Sequence, residues 1–408
     1  MNIEKNFNNG VSLEMINNIK KESLIAPLNN RVVKLPELIY LSMFAIYIIA
    51  NTFSGTMFVL SSLVSSSTYL ISELSVIGIL IKILLFDKWD LKSISIILLS
   101  GLILWQICTT SSEYLFFYYY VYIVGAKDVD FRKIIKVFLG AVISVSVIAA
   151  IASLSGVIIN VTIGRLLEST VRYSVGAVYP TDLAARCFYI LLAYTALRKF
   201  KFMLPEYIAA ISFSIMIYAL TDTRLDFLLM IMVILITIFK NFICHIIEKI
   251  KINIATGTIF IVILLNIVLA YLFKPSVHLF QIVNKVLSGR LTYGHEAFKN
   301  YNVTFLGQFI YQNGNGGVHN QPFDYFYIDV SFIRVLMMEG ILAFFVLLAV
   351  IYLSYRKFYN EKSFVLIVWL LLAILSSLID QHLYELSFNI IFLGLFADLS
   401  YWREKSIE

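Results

Sequence analysis

Residues 253–273 read NIATGTIFIVILLNIVLAYLF, a run without a single charged side chain. As an α-helix, a run of this length covers about 30 Å, the thickness of the hydrocarbon core of a membrane. The polar stretch 274–331 follows, and a second apolar run begins at Phe332. Backbone groups in lipid must bond within their own segment, and these runs lack the alternation of barrel strands. The sequence therefore predicts a bundle of membrane helices with one long polar loop.

The composition of the rest of the chain supports the same fold class. Apolar residues make up 60% of the 408 positions and charged residues 14%, whereas a soluble domain is roughly half apolar and a quarter charged. We therefore expect an all-α polytopic membrane protein. About twelve transmembrane helices are predicted, at residues 35–53, 68–86, 92–109, 112–126, 135–155, 181–198, 204–221, 224–240, 253–273, 332–354, 363–379 and 384–401.

Basic residues predict the side of the membrane on which each connection lies. With the N-terminus in the cytoplasm, 22 of the 32 lysines and arginines fall in cytoplasmic segments, as the positive-inside rule requires. The prediction is a cytoplasmic tail (1–34), a transmembrane domain (35–401) with the extracytoplasmic loop 274–331, and a second cytoplasmic tail (402–408). The net charge of +6 is then explained by membrane orientation, and no nucleic-acid partner is expected.

The basic residues predicted on the outer side are mostly arginines. Arginine forms planar, paired hydrogen bonds to phosphate, whereas lysine acts as a point charge. The excess therefore predicts an anionic ligand outside the membrane. The outer basic residues are Arg165, Arg172, Arg186, Arg224, Lys274, Lys285, Arg290, Lys299 and Arg334.

Three outer segments hold the candidate functional residues. Arg172 and Tyr173 precede the helix start at Pro180–Thr181; Arg224 lies in a turn between two aspartates; Arg290, His295, His319, Tyr325, Tyr327 and Asp329 lie in the long loop. Simpler explanations stay open, since the turn can satisfy itself as an Asp–Arg–Asp cluster and a loop histidine can simply be solvated. The cysteines Cys108, Cys187 and Cys244 are scattered, so neither a zinc site nor another metal site is predicted.

The arrangement of spans and these motifs resemble the Wzy-type polymerases of O-antigen, capsular and exopolysaccharide repeat units. The resemblance rests on one very long outer loop before the last three spans and on the short motifs within the outer segments. The His319-Asn320 pair ahead of Glu339-Gly340-Ile341 is also similar to the related O-antigen ligases, so a ligase remains an alternative. The motifs are Arg172-Tyr173-Ser174-Val175-Gly176, Thr221-Asp222-Thr223-Arg224, Ser288-Gly289-Arg290 and Tyr327-Ile328-Asp329.

The resemblance implies a GT-C-like bundle in the bacterial cytoplasmic membrane. It implies glycosyl transfer at the outer face, in which a glycan leaves its undecaprenyl pyrophosphate carrier for the end sugar of another lipid-linked unit. The reaction would be inverting and independent of metal or other cofactors. Flippase and chain-length regulator proteins would be partners. A rival from another class, a flippase or exporter of the same lipid-linked unit, would instead favour charged residues near the middle of the membrane.

The chemistry of the side chains suggests a role for each candidate residue. Arg172, Arg224 and Arg290 would bind the pyrophosphate and stabilise its developing charge. His319 is the first candidate for the general base, because the pKa of histidine lies near the working pH; Asp329 and His295 are the alternatives. The candidate sugar-binding aromatic side chains, which membrane-interface anchoring explains equally well, are Tyr173, Tyr325 and Tyr327.

Overall fold

A computed structural model describes residues 34–164, 170–317 and 323–403 of the chain. The helices in chain order are α1 (Leu35–Ser54), α2 (Ser62–Leu85), α3 (Leu91–Ser111), α4 (Leu115–Gly125), α5 (Phe131–Leu154), α6 (Pro180–Leu197), α7 (Leu204–Thr221), α8 (Arg224–Ile238), α9 (Lys240–Lys249), α10 (Ile252–Tyr271), α11 (His278–Val286), α12 (Arg290–Asn300), α13 (Ser331–Asn360) and α14 (Phe364–Ser377). Two short antiparallel strands, β1 (Thr162–Gly164) and β2 (Val171–Tyr173), lie between α5 and α6.

The helical, multi-pass character predicted from composition is confirmed. Among the described residues, seven helices are long and apolar enough to cross a membrane, and an eighth crossing is possible if α8 and α9, which meet at an 86° bend, form one broken span. The seven helices are α1, α2, α3, α5, α7, α10 and α13.

The aromatic segment predicted at 112–126 forms the short helix α4, which lies inside the bundle. Nine of its eleven residues are buried. Tyr122 donates a hydrogen bond to the carbonyl of Met43 at 3.2 Å, and Tyr40 donates to the carbonyl of Tyr122 at 3.1 Å. These contacts fix α4 against α1. Since neighbouring helices enclose α4, lipid thickness does not set its length.

Residues 384–401 do not form the predicted transmembrane helix, and that prediction is wrong. Irregular chain and turns there alternate with short 3₁₀ helices, among them Ile391–Leu395 and Ser400–Trp402. The Asn389 side chain donates to the carbonyl of Leu383 at 2.8 Å and accepts from the amide of Ile391 at 3.2 Å. Such side-chain bonds satisfy the backbone in place of helical bonds. The apolar composition of this segment therefore reflects burial inside the protein rather than a helix facing lipid.

This interior segment joins two groups of loops. At one end, the amide of Phe131 donates to the carbonyl of Asp398 at 3.1 Å, and the Trp402 indole donates to the carbonyl of Ala196 at 3.0 Å. At the other end, the amide of Ser331 donates to the carbonyl of Asp380 at 3.1 Å. Loops assigned to the inner side by charge thus meet at the first end, and loops assigned to the outer side meet at the second.

The long polar loop contains two helices and a stretch of irregular chain. The apolar residues at 276–287 have helix-like spacing, and the helix α11 lies there, with none of its residues buried. The following irregular chain packs on α13 at Gly307, whose φ is +82° and whose Cβ, if it had one, would lie 2.7 Å from the carbonyl oxygen of Met338. A glycine is needed at this close approach.

Candidate functional site

The β1–β2 hairpin positions Arg172. Side chains alternate across a strand, so Arg172 is buried while its neighbours Val171 and Tyr173 are exposed. The Nε of Arg172 donates to the carbonyl of Thr221 at 2.7 Å, and its guanidinium lies 5.7 Å from the centre of the Tyr179 ring. The hairpin is thereby attached to the turn between α7 and α8, which carries the second predicted arginine.

The α7–α8 turn places Arg224 at the start of a helix. Asp222 adopts a left-handed conformation with φ of 46°, and the hydroxyls of Thr221 and Thr223 are hydrogen-bonded at 2.7 Å. The chain therefore reverses tightly and α8 begins at Arg224. Arg224 is exposed, whereas Asp226, in the first turn of the same helix, is buried. Arg224 therefore lies near the surface of this turn, and Asp226 lies deeper.

Arg290 is the first residue of α12 and directly follows Gly289. The φ of Gly289 is +90°, in the left-handed region that favours glycine. Its Nε donates to the carbonyl of Ile379 at 3.1 Å and lies 3.7 Å from Oδ2 of Asp329. The carboxylate and the guanidinium are 25% and 16% exposed. Arg290 therefore links the long loop to the segment after α14 while its side chain stays accessible.

These segments enclose one cavity of about 410 Å³. All three predicted arginines line it, together with Asp329, Tyr325 and Tyr327 from the long loop. Residues distant in sequence are therefore brought to one place, with cations, carboxylates and phenol rings facing a common space. The further polar side chains in the lining are Tyr179, Thr181, Asp182, Thr223, Asp226, Ser288, Tyr293, Asn315, Asp380, Gln381 and His382.

The other three predicted site residues lie elsewhere. His295 sits on α12, and its Nδ1 lies 3.3 Å and 3.2 Å from the carbonyl oxygens of Ala270 and Tyr271 at the end of α10. It is absent from the described lining of the cavity. Tyr173 is 39% exposed on the opposite side of the strand from Arg172. His319 lies outside the described residues.

Sequence reasoning missed His382, which the turn after α14 brings to the cavity. Its Nε2 lies 3.8 Å from Oδ1 of Asp182, its Nδ1 lies 3.2 Å from Oε1 of Glu385, and its ring stacks on Phe388. Burial acts to lower the pKa of His382, but Glu385, followed by Asp380 and Asp182, outweighs burial and raises it to about 9. His382 is therefore a cation at neutral pH and a poor proton acceptor.

The raised pKa of His382 predicts how stability depends on pH. Because folding raises the pKa of His382, its protonation stabilises the folded protein. This stabilisation is fully present below the unfolded pKa of 6.5 and is lost as pH rises through the folded pKa of about 9. We expect a loss on the order of 3 kcal/mol across that window. Thermal unfolding midpoints in detergent should show it, and His382→Gln should flatten the curve.

The matched control for this experiment is His278→Gln. His278 is an exposed histidine at the start of α11, so its removal should leave the pH dependence of the midpoint as in the unaltered protein. If His382→Gln and His278→Gln gave the same slope between pH 6.5 and 9, the charged state assigned to His382 would be incorrect.

Acidic side chains balance the cations of this cavity. Asp182, Asp226, Asp329 and Asp380 all line it. Within the described part of the chain, Oδ1 of Asp226 and Oδ2 of Asp380 are buried and meet no hydrogen-bond donor. A buried acceptor without a donor costs free energy. Accessible carboxylates of the lining, such as that of Asp329, can still accept from ligand hydroxyls, while the guanidiniums can bind an anionic group.

Asp329 has the properties of a general base within this set. Burial, only partly offset by Arg290, raises the pKa of Asp329 above its ordinary value. A carboxylate whose pKa moves towards the working pH accepts a proton more readily. Its side chain is still accessible from the cavity. The Asp329 carboxylate is therefore both accessible from the cavity and more basic than an ordinary aspartate.

Among the described residues, no three or more His, Cys, Asp or Glu side chains are grouped as a metal ion would require. No family model, no curated protein and no solved structure matches the chain. The chemistry of the site therefore has to be argued from its own geometry.

Proposed function

We propose that the protein is a membrane glycosyltransferase that polymerises oligosaccharide repeat units carried on undecaprenyl pyrophosphate. One observation carries the proposal: Arg172, Arg224 and Arg290, from three separate segments, line a single cavity together with Asp329. Guanidiniums bind the oxygens of a pyrophosphate, and their charge stabilises the leaving group as the glycosidic bond breaks. The carboxylates and tyrosines of the same lining fit sugar hydroxyls and sugar faces.

In the proposed reaction, Asp329 removes the proton from a hydroxyl of the acceptor sugar. The hydroxyl oxygen attacks the anomeric carbon of the donor glycan from the side opposite the pyrophosphate, so the configuration inverts. The bond between that carbon and the pyrophosphate oxygen breaks, and the electron pair leaves with the lipid pyrophosphate, which the arginines stabilise. The donor glycan is then longer by one repeat unit.

The proposal places the cavity on the outer face of the bacterial cytoplasmic membrane. The convergence of the charge-assigned inner loops at one end of the protein and outer loops at the other supports this orientation. It also supports twelve crossings, of which the last is the buried irregular segment after His382 rather than a helix. Irregular chain is tolerated at membrane depth where protein surrounds it.

Two alternatives share part of the evidence. An O-antigen ligase would use the same donor chemistry with a different acceptor. A flippase or exporter would also bind the lipid pyrophosphate, and buried charged residues such as Arg186 and Glu339 are a feature that this class favours. A cavity in which an accessible carboxylate of raised pKa lies beside an arginine favours transfer over transport.

Deletion of the gene in its host tests the function. We expect single repeat units to accumulate on the lipid carrier at the outer face, where an added glycosidase or lectin reaches them, and polymer to disappear. Accumulation of units protected inside the cell would contradict polymerisation and indicate transport. Polymer that forms normally but stays on the lipid carrier would indicate a ligase. The Arg290→Lys variant, expressed in the deletion strain, should behave as the deletion.

A further inference from the structure

A second cavity of about 540 Å³ lies between α1, α2, the α3–α4 turn and the end of the long loop. None of the residues already assigned to the first cavity lines it. Its polar lining consists of hydroxyl, amide and phenol groups around one ion pair. Among the lining residues are Ser65, Thr68, Tyr69, Tyr114, Tyr118 and Gln312.

The two charges of this ion pair neutralise each other. Arg334 is the one cation among the described lining residues, and its Nη2 donates to both oxygens of Glu113, at 3.0 Å and 2.7 Å. Its Nη1 donates to Oε1 of Gln312 at 3.1 Å. Because Glu113 occupies Nη2 and Gln312 occupies Nη1, this guanidinium has few N–H groups left for a phosphate. The second cavity is therefore built for an uncharged ligand.

The remaining lining groups match the surface of a sugar. Tyr114 and Tyr118 stack with ring centroids 6.1 Å apart, and Tyr69 is 57% exposed at the rim. Flat rings bind the apolar faces of sugars, while serine and threonine hydroxyls that donate to backbone carbonyls still have lone pairs for sugar hydroxyls. Thr68, for example, donates to the carbonyl of Ser65 at 3.0 Å and keeps its acceptor capacity.

A single layer of side chains separates the two cavities. Tyr327 lines the first cavity, and the Arg334 guanidinium of the second cavity lies 5.5 Å from the centre of its ring. Gln312, also in the second cavity, accepts a hydrogen bond at 2.9 Å from the amide of Ile328. Ile328 directly precedes Asp329. The two cavities are thus neighbours, connected through the Tyr327–Ile328 backbone that leads to Asp329.

We infer that the second cavity binds the uncharged sugars of the acceptor glycan. The inference rests on the proposed function, because it divides the two substrates between the two cavities: the donor pyrophosphate at the three arginines, and the acceptor oligosaccharide among the tyrosines and serines. The cavity selects its ligand by hydroxyl pattern rather than by charge.

The test measures binding of a repeat-unit oligosaccharide, released from its lipid carrier by mild acid and labelled with a fluorophore, to the full-length protein in nanodiscs. Ser65→Trp places a large ring at the exposed rim of the cavity, and we expect it to weaken binding at least tenfold. Ser66→Trp is the matched control, since Ser66 is the next exposed residue of α2 and does not line the cavity. Millimolar inorganic pyrophosphate should not compete with the oligosaccharide.

Equal affinities for the two tryptophan variants, or displacement of the oligosaccharide by pyrophosphate, would overturn the inference. Tyr69→Ala removes a rim ring without filling the cavity, and it should also weaken binding if Tyr69 stacks on a sugar. The proposed function fails separately: Arg290→Lys should slow transfer by about 10²- to 10³-fold while leaving oligosaccharide binding unchanged. Full transfer by that variant would refute the function, whatever the Ser65→Trp result.

Discussion

Replacing Arg290 with lysine is expected to lower the rate of glycan polymerisation by about 10²- to 10³-fold, the cost of removing one oriented donor to a developing negative charge. The Nε of Arg290 donates to the carbonyl of Ile379 and lies beside Asp329. These contacts fix the direction of the remaining N–H groups of the guanidinium. Lysine keeps the charge but not the planar donors. The loss should therefore appear in kcat more than in KM for the donor.

The measurement follows polymer length in membranes supplied with lipid-linked repeat units. Lys299→Gln is the control, because Lys299 is an exposed cation in the last turn of the same helix, outside the cavity lining. It should polymerise at the normal rate. If both variants were equally active, Arg290 would have no part in stabilising the leaving group and the proposed donor site would be incorrect.

Replacing Asp329 with asparagine is expected to reduce turnover by about 10²- to 10⁴-fold, the usual contribution of a general base. Asparagine has a similar shape but cannot accept the proton of the acceptor hydroxyl. Donor binding should persist, because the three arginines remain. Single-turnover kinetics with preformed enzyme–donor complex would separate the two effects, since only the transfer step should slow.

The pH dependence gives a second readout for Asp329. Burial raises the pKa of this carboxyl, and the base is active only when ionised, so the rate should rise as pH increases through the raised pKa. The residual rate of Asp329→Asn should lose that rise. Asp324→Asn is the matched control: Asp324 is exposed in the same segment and its Oδ1 accepts from Asn313 at 2.7 Å. A control variant as impaired as Asp329→Asn would contradict the assignment.

The helices and the arginine cluster were predictable because both leave local signals. Charge-free runs such as 253–273 need only length and composition, and α10 occupies Ile252–Tyr271. The outer arginines stood out because cations are disfavoured there. Charge grouped nine basic residues, the short motifs singled out Arg172, Arg224 and Arg290 among them, and the cavity brings these three together. Local sequence therefore identified which residues carry the charge, although not the bonds that hold them.

The acidic residues and histidine after α14 were not predicted, since their role depends on distant partners. His382 joins Asp182 from α6, and the backbone beside Asp380 binds Arg290 through Ile379. The available signal was a short polar stretch, Asp380-Gln381-His382 with Glu385, between two apolar runs. It falls where the predicted spans 363–379 and 384–401 meet, and its local pattern indicates none of these distant partners. The next run was assigned to a helix because apolar composition alone does not distinguish a helix in lipid from buried irregular chain.

That irregular run also has a consequence for how the protein is made. Its amides donate to side chains and to neighbouring loops: the amide of Ile391 donates to Oδ1 of Asn389, and the amide of Asp398 donates to the carbonyl of Val129. In this irregular conformation and without those neighbours, the same amides would be unpaired in an apolar environment, at a cost of several kcal/mol each. The irregular conformation can therefore form only after the surrounding helices have packed. The final shape of this run is thus a late product of tertiary folding.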